Sequence, residues 1–206
     1  MLTCFVCEAQ IKPVISGGSG ALLGTNTHGY QFLELQGGAG IVFNEKYSLQ
    51  LNYMFVNYRF RINPPGNRQP MKTDVLSISL GYRVLGKDKI VSPTFVLDLG
   101  VPIHSNADSA VMYGHTIYPS YSEGMWRYNR GLFFGKLKAL CDIQLQAFNL
   151  QFGVSFNQWY FNMSNLKPDL SSDGFEVKST GIGGRANFGI EAGLMYTLPS
   201  NKRDRD

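Results

Sequence analysis

The sequence predicts an all-β chain, folded as an eight-stranded antiparallel up-and-down transmembrane β-barrel with short turns at one end and long loops at the other. Three observations predict it. Apolar and polar residues alternate for about a dozen positions at a time. The connections between these segments alternate in length. Aromatic residues gather at the segment ends.

Alternation is clearest in residues 30–43 and 47–60. In the first, Leu33, Leu35, Gly37, Ala39, Ile41 and Phe43 share one face, with Glu34, Gln36, Gly38 and Gly40 on the other. In the second, Tyr47, Leu49, Leu51, Tyr53 and Phe55 oppose Ser48, Gln50 and Asn52. Successive side chains of a strand point to opposite faces, so a period of two is an extended strand with one apolar and one polar side. Strands of soluble domains usually end after about five or six residues, whereas crossing a bilayer in a closed barrel takes about 9–11 tilted residues. The pair therefore reads as a bilayer-spanning hairpin.

The remaining elements come in order along the chain. Residues 10–17 form a first strand, with a Gly/Thr/Asn loop over 18–28. A polar loop over 61–72 contains Pro64-Pro65-Gly66, and alternation returns in 73–85. Gly86-Lys87-Asp88-Lys89 has turn chemistry and leads into a strand over 90–102. Residues 103–130 make a long aromatic-rich connection. Strands over 131–142 and 148–160 join through a short link near Gln144, and a loop over 162–179 leads to a last strand over 181–198. Connections thus run long, short, long, short, long, short, long. Outer-membrane barrels have this rhythm, with long extracellular loops and short periplasmic turns. At the segment ends, Phe43, Tyr47, Tyr82 and Tyr196 fall near the short turns, and Tyr30, Tyr58, Phe60, Trp159, Tyr160 and Phe161 near the long loops. Two aromatic levels one bilayer apart are the expected interfacial girdles.

Composition is compatible. The 206 residues are 44% hydrophobic but only 17% charged, with 23 glycines and a net charge of +4. Soluble domains average about 25% charged. No window approaches the 18 or so apolar residues of a membrane helix, and no Lys/Arg run marks a nucleic-acid surface. Residues 1–9 read as a truncated export leader: a short apolar run, then Glu8-Ala9, with Cys7 and Ala9 as small residues for cleavage before Gln10. Without the leader, Cys141 is the single cysteine and makes no intramolecular disulfide. Residues 199–206 form a polar tail.

With its alternating strands, the Ala9-Gln10 start and motifs such as Leu80-Gly81-Tyr82, the chain resembles the small outer-membrane β-barrels of Bacteroidota, with an eight-stranded architecture similar to the OmpA and OmpX type. The resemblance implies export to the outer membrane of a Gram-negative bacterium, no cofactor and a non-catalytic role. It departs from the pattern at the end, where the chain runs past Leu198 instead of finishing on an aromatic residue.

Function depends first on barrel size, since eight strands leave an interior that side chains fill. Strict alternation turns Glu34, Gln50, Asn52, Arg83, Asp98, Lys136, Lys138, Gln151, Asn157, Arg185 and Glu191 inward. Mixed charges there predict that this set is an ion-paired structural network, with Glu34, Arg83, Asp98, Lys138, Arg185 and Glu191 among its charged members, rather than an open pore. Activity then belongs to the outer loops. Tyr113, His115, Tyr118, Tyr121, Trp126, Arg127 and Tyr128 are loop-binding candidates, because aromatic and arginine side chains dominate binding hot spots. Arg59 and Arg61 suit lipopolysaccharide phosphates at the rim. Expected partners are outer-membrane lipid and lipopolysaccharide, with other outer-membrane proteins or surface glycans at the loops.

Two alternatives have specific signatures. His104-Ser105-Asn106-Ala107 is similar to the His-x-Ser-Asn-Ala motif of a lipid A deacylase group, without the intervening residue. Adjacent strand residues face opposite sides, which defeats a base–nucleophile hydrogen bond between His104 and Ser105. The three histidines, His28, His104 and His115, lack metal-ligand spacing. A soluble lipocalin-like barrel would turn the apolar face inward.

Overall fold

The computed structural model describes residues 10–23, 31–61, 68–85, 89–106, 111–114, 124–169 and 174–199. They form nine strands: β1 (Ile11–Leu23), β2 (Gln31–Phe43), β3 (Tyr47–Arg61), β4 (Arg68–Arg83), β5 (Val91–Ser105), β6 (Val111–Gly114), β7 (Gly124–Leu145), β8 (Phe148–Asp169) and β9 (Gly174–Thr197). All pairings are antiparallel, and eight strands close the barrel in the order β1-β2-β3-β4-β5-β7-β8-β9-β1. The seam between β1 and β9 runs from Val14↔Thr197 to Leu23↔Phe188. Strand β6 is an extra rim piece on β7, paired from Val111↔Arg127 to Gly114↔Gly124 above the stretch of β7 that holds β5.

Register fixes the barrel's shape. A hydrogen-bonded circuit begun at Pro13 passes Ile41, Leu49, Leu80, Leu97, Leu137, Phe156 and Phe188 and returns to β1 at Leu23, ten residues further along. A stagger of that size across eight strands sets a strand tilt of about 40° and a backbone radius of about 8 Å. Each residue then rises about 2.5 Å along the axis.

The faces are inverted relative to a soluble protein. Outward-pointing Leu33, Leu51, Ile78, Leu80, Phe95, Leu137, Val154 and Ile190 are half exposed, and inward positions carry the polar and charged residues. Among the described residues, no outward side chain is charged over 33–43, 47–55, 76–84, 91–103, 133–145, 148–156 or 186–196. At about 2.5 Å per residue this uncharged belt is about 25 Å tall, the height of an outer-membrane apolar band. On β4 its upper margin is Asp74, whose carboxylate accepts a 2.6 Å hydrogen bond from the Tyr53 hydroxyl. At the lower margin Tyr47 stacks with Tyr82 (centroids 5.3 Å apart) and Phe148 with Tyr196 (4.7 Å). At the upper margin Phe133 lies 6.3 Å from Tyr160.

The short-turn end is tightly built. Asn44 and Glu45 take φ of 48° and 58°, and Lys46 N–H closes the turn onto the Phe43 carbonyl at 3.0 Å. Consecutive positive φ values match the right-handed twist of the flanking strands. Gln146, at φ 54°, turns β7 into β8. The first and last described residues lie at this same end, where Asn44 N–H donates to the Gln10 carbonyl and Leu198 N–H to the Pro13 carbonyl.

Strands run further toward the loop end than alternation alone predicts. β1 continues through Leu23 into the predicted 18–28 loop, and β4 begins at Arg68 inside the predicted 61–72 loop. β8 and β9 pair up to Asp169↔Gly174, within the predicted 162–179 loop. The predicted 103–130 connection contains β6 and the start of β7. The extensions of β4, β8 and β9, with β6 and the start of β7, stand above the apolar belt, so backbone pairing continues there without an apolar outer face to mark it. Residues 18–23 of β1 instead pair with belt residues of β2 and β9, and there the run Gly17-Gly18-Ser19-Gly20 lacks the side chains that would show the alternation. The predicted leader (1–9), residues 200–206 and Tyr30 lie outside the described residues.

Candidate functional site

The lumen is layered. Nearest the loop end, Val56, Val75, Phe134 and Trp159 are fully buried, with the Phe134 and Trp159 rings 4.5 Å apart. Below them lies a charged layer. Lys136 from β7 reaches across the lumen to pair with Glu34 of β2 and with Glu191 of β9, Nζ–Oε1 2.6 Å. Lys138, two residues on, pairs with Asp98 of β5 at 2.8 Å and donates to Gln36 Oε1 at 2.9 Å. Strand alternation puts both lysines inward, and the shear brings their partners to the same height on strands far apart in sequence. Gly20 makes room: a Cβ there would sit 3.0 Å from Glu191 Oε1 and 3.1 Å from Glu34 Oε2.

Toward the short-turn end the lumen opens into a cavity of about 580 Å³. Hydroxyl and carboxamide side chains share its wall with charged residues and with apolar ones such as Val42, Val96, Leu140 and Met195. Ser16 Oγ donates to Gln50 Oε1 at 2.6 Å, and Asn52 contacts Ser79. At its mouth the Arg83 guanidinium donates from Nη1 to Gln144 Oε1 (2.9 Å) and from Nη2 to the Lys89 carbonyl (3.0 Å), with Nε 3.8 Å from Asp142 Oδ2. Lys12 and Glu45 form a further pair at 2.7 Å.

The structure brings six of the seven charged lumen candidates into the interior. Glu34, Asp98, Lys136, Lys138 and Glu191 belong to the central layer, and Arg83 stands at the mouth. The seventh, Arg185, pairs through its backbone with Trp159, and its side chain is not described. Sequence reasoning leaves out Asp142, which caps Arg83. It is the last residue of the predicted strand, although its parity matches that of Lys136 and Lys138. Trp159 corrects the predicted outer girdle: it points into the lumen, 2% exposed, while its neighbour Tyr160 faces outward. Trp159 shares the parity of Asn157, which alternation alone places inside.

At the outer end, a β-bulge between Asp74 and Val75 of β4 leaves Ile103 unpaired on β5 and flips the alternation. His104 is therefore exposed, whereas Ser105 points inward, its hydroxyl 3.0 Å from that of Thr73. The two cannot act together as base and nucleophile. Of the loop candidates, Tyr113 lies on β6 opposite Met125, and Trp126, Arg127 and Tyr128 lie on β7. Their side chains are not described, and His115, Tyr118 and Tyr121 fall outside the described residues. The backbones of Arg59 and Arg61 sit high on the β3–β4 hairpin, opposite Pro70 and Arg68. Among the described residues, no group of three or more His, Cys, Asp or Glu side chains could hold a metal ion.

No family model matches the chain, and no curated protein is similar to it. Solved structures are. The outer membrane protein OprG from Pseudomonas aeruginosa is similar over 92% of this chain and 97% of its own, at 14% identity and a TM-score of 0.53. The fold is that of an outer-membrane β-barrel. Neisserial surface protein A (11% identity, TM-score 0.49, covering 92% of this chain and 99% of its own) and a major outer membrane protein from Thermus thermophilus (10%, 0.48, 91% and 99%) also align. At these identities the likeness concerns architecture alone.

Proposed function

We propose that this chain is a non-catalytic barrel of a Gram-negative outer membrane, acting in surface interaction, envelope integrity or as a subunit of a larger outer-membrane assembly. The observation that carries the reading is the inverted barrel: an uncharged apolar belt about 25 Å tall outside, and ion pairs inside. Water cannot solvate that exterior, and lipid can. A soluble ligand-binding barrel needs the opposite arrangement. The short-turn end, with both termini of the described chain, faces the periplasm, and the long-loop end faces outward.

On this reading the lumen is porin-like only in its wall. The Phe134–Trp159 layer and the lysine–carboxylate layer plug it, and function passes to the outer end. There Tyr113, His115, Tyr118, Tyr121, Trp126, Arg127 and Tyr128 engage other outer-membrane proteins or surface glycans through aromatic stacking and guanidinium hydrogen bonds. Arg59 and Arg61 bind lipopolysaccharide phosphates in bidentate fashion. The backbone pairing that sets Arg61 opposite Arg68 brings two arginine positions together on that hairpin and supports the reading. A Bacteroidota source rests on the motif resemblance alone.

The test is cell fractionation and then SDS gels with and without boiling. The expected result is recovery in the outer-membrane fraction and a mobility shift on boiling. Recovery in the soluble fraction would overturn the proposal.

A further inference from the structure

We infer that the cavity at the short-turn end is a binding site for a neutral, hydroxyl-rich solute of mono- or disaccharide size, centred on Arg83, Thr94 and Asp142. The inference requires the closed barrel but not its orientation in a membrane.

The cavity is blind. It opens at the turn end and stops at the layer where Lys138 pairs with Asp98 and Gln36. Its volume of about 580 Å³ falls within the range of small-molecule sites. Within its wall, Arg83 Nε, Thr94 Oγ1 and Asp142 Oδ1 have no hydrogen-bond partner among the described residues. All three side chains are at least nine-tenths buried, at 7%, 6% and 2% exposure. They sit on three neighbouring strands, where Arg83 of β4 pairs with Thr94 of β5, and Asp142 of β7 lies across from Ser92, two residues before Thr94.

Buried polar groups are seldom left unpaired, and each costs about 1–3 kcal/mol when it is. Three on one cavity wall mark a place where a ligand supplies the missing bonds. Together they offer a donor (Nε–H), an acceptor (the carboxylate oxygen) and a hydroxyl that does both. A sugar hydroxyl matches this set, since it donates and accepts at one atom. Charge argues against an ionic ligand deep in the cavity: Arg83 and Asp142 balance one another, as do Lys138 and Asp98 at the blind end, Glu191 and Lys136, and Lys12 and Glu45. Among the described residues, that leaves one cation, the exposed turn residue Lys46, at the mouth. The half-buried carboxamides of Gln36, Gln50 and Gln151 line the remaining wall and suit further hydroxyl or acetamido groups. The guanidinium is already fixed by Gln144 and the Lys89 carbonyl, so its ordering cost is met before binding. The three unpaired atoms are closed off from solvent, so seating a ligand turns the Thr94 and Asp142 side chains toward the cavity, and the movement of Asp142 away from its place 3.8 Å from Arg83 Nε opens that N–H to the ligand.

The test uses the full chain folded in detergent micelles, with closure verified by gel mobility. The probes are N-acetylglucosamine, its β-1,4-linked disaccharide and, as the charged comparison, inorganic phosphate. Titration is followed at the Arg83 Nε–H resonance by 15N–1H NMR, assigned from the Arg83→Lys spectrum. The expected result is a saturable shift with either sugar at millimolar concentration, none with phosphate, and about tenfold weaker binding in Thr94→Val, which keeps side-chain shape and removes one hydrogen bond. Thr94→Ser, which restores the hydroxyl, should bind like the parent. A linear, non-saturating response to the sugars, equal binding by Thr94→Val, or saturation by phosphate alone would overturn the assignment.

Discussion

Replacing Lys136 with methionine keeps the length of the side chain and removes the charge that two buried carboxylates share. In the folded barrel Glu34 and Glu191 are 1% and 7% exposed, and Lys136 itself 1%. Both carboxylates lie within 3.1 Å of the point where a Cβ on Gly20 would stand, so the facing oxygens are at most about 6 Å apart. At an effective dielectric constant of about 20, two like charges at that distance repel by about 3 kcal/mol. Losing both attractions and leaving this repulsion should destabilise the barrel by about 3–5 kcal/mol, with proton uptake by one carboxylate setting the upper limit. Urea unfolding in lipid vesicles, monitored by fluorescence and gel mobility, measures it, and the midpoint should fall with little change in slope. Glu34→Gln or Glu191→Gln alone should cost less, because Lys136 keeps one partner. The combined Lys136→Met, Glu34→Gln, Glu191→Gln variant should return to within about 2 kcal/mol of the parent. A loss below about 1 kcal/mol for Lys136→Met, or no recovery in the combined variant, would refute a buried ion-paired plug.

Other positions separate the inside from the outside. Leu137, beside Lys136 but on the outer face and 57% exposed, should tolerate no charge: Leu137→Arg should cost about 2–4 kcal/mol in vesicles, measured by the same unfolding assay. A Cβ on Gly153 would overlap the Ala139 carbonyl oxygen, whereas at Gly181 it meets nothing within 4 Å. Gly153→Ala should therefore lose heat-modifiable folded protein on gels, and Gly181→Ala should not. In a Trp126→Phe background, Trp159 fluorescence should resist quenching by brominated acyl chains, while moving the indole one residue to position 160, with phenylalanine at 159, should restore quenching.

How much of this was legible depended on which force acted at each position. An apolar exterior and a polar, ion-paired lumen give the strands their period of two. The inward turn of Glu34, Asp98, Lys138 and Glu191 could therefore be read from spacing, and so could the exposed Leu33, Leu51 and Ile78. Which charges meet was not legible, because the pairing of Lys136 with Glu34, 102 residues away, is set by barrel stagger. Trp159 shows that parity outranks proximity to a strand end: an indole near the rim joins an outer girdle only if its position faces outward. His104 shows the converse limit, where one bulged residue, Ile103, overturns the parity of the residues beyond it. Above the belt, β6 and the upper parts of β7–β9 do not continue the apolar outer face, and their sequence reads as loop.

The most direct test of the inverted barrel is a nitroxide scan of β7 from Phe134 to Asp142 in vesicles, on a background with Cys4, Cys7 and Cys141 all replaced by serine, comparing collision with oxygen and with a polar nickel chelate. The inverted barrel predicts a strict two-residue period, with labels at 135, 137, 139 and 141 open to lipid-dissolved oxygen and those at 134, 136, 138, 140 and 142 shielded from it. Oxygen access at the even positions, or no periodicity, would contradict it.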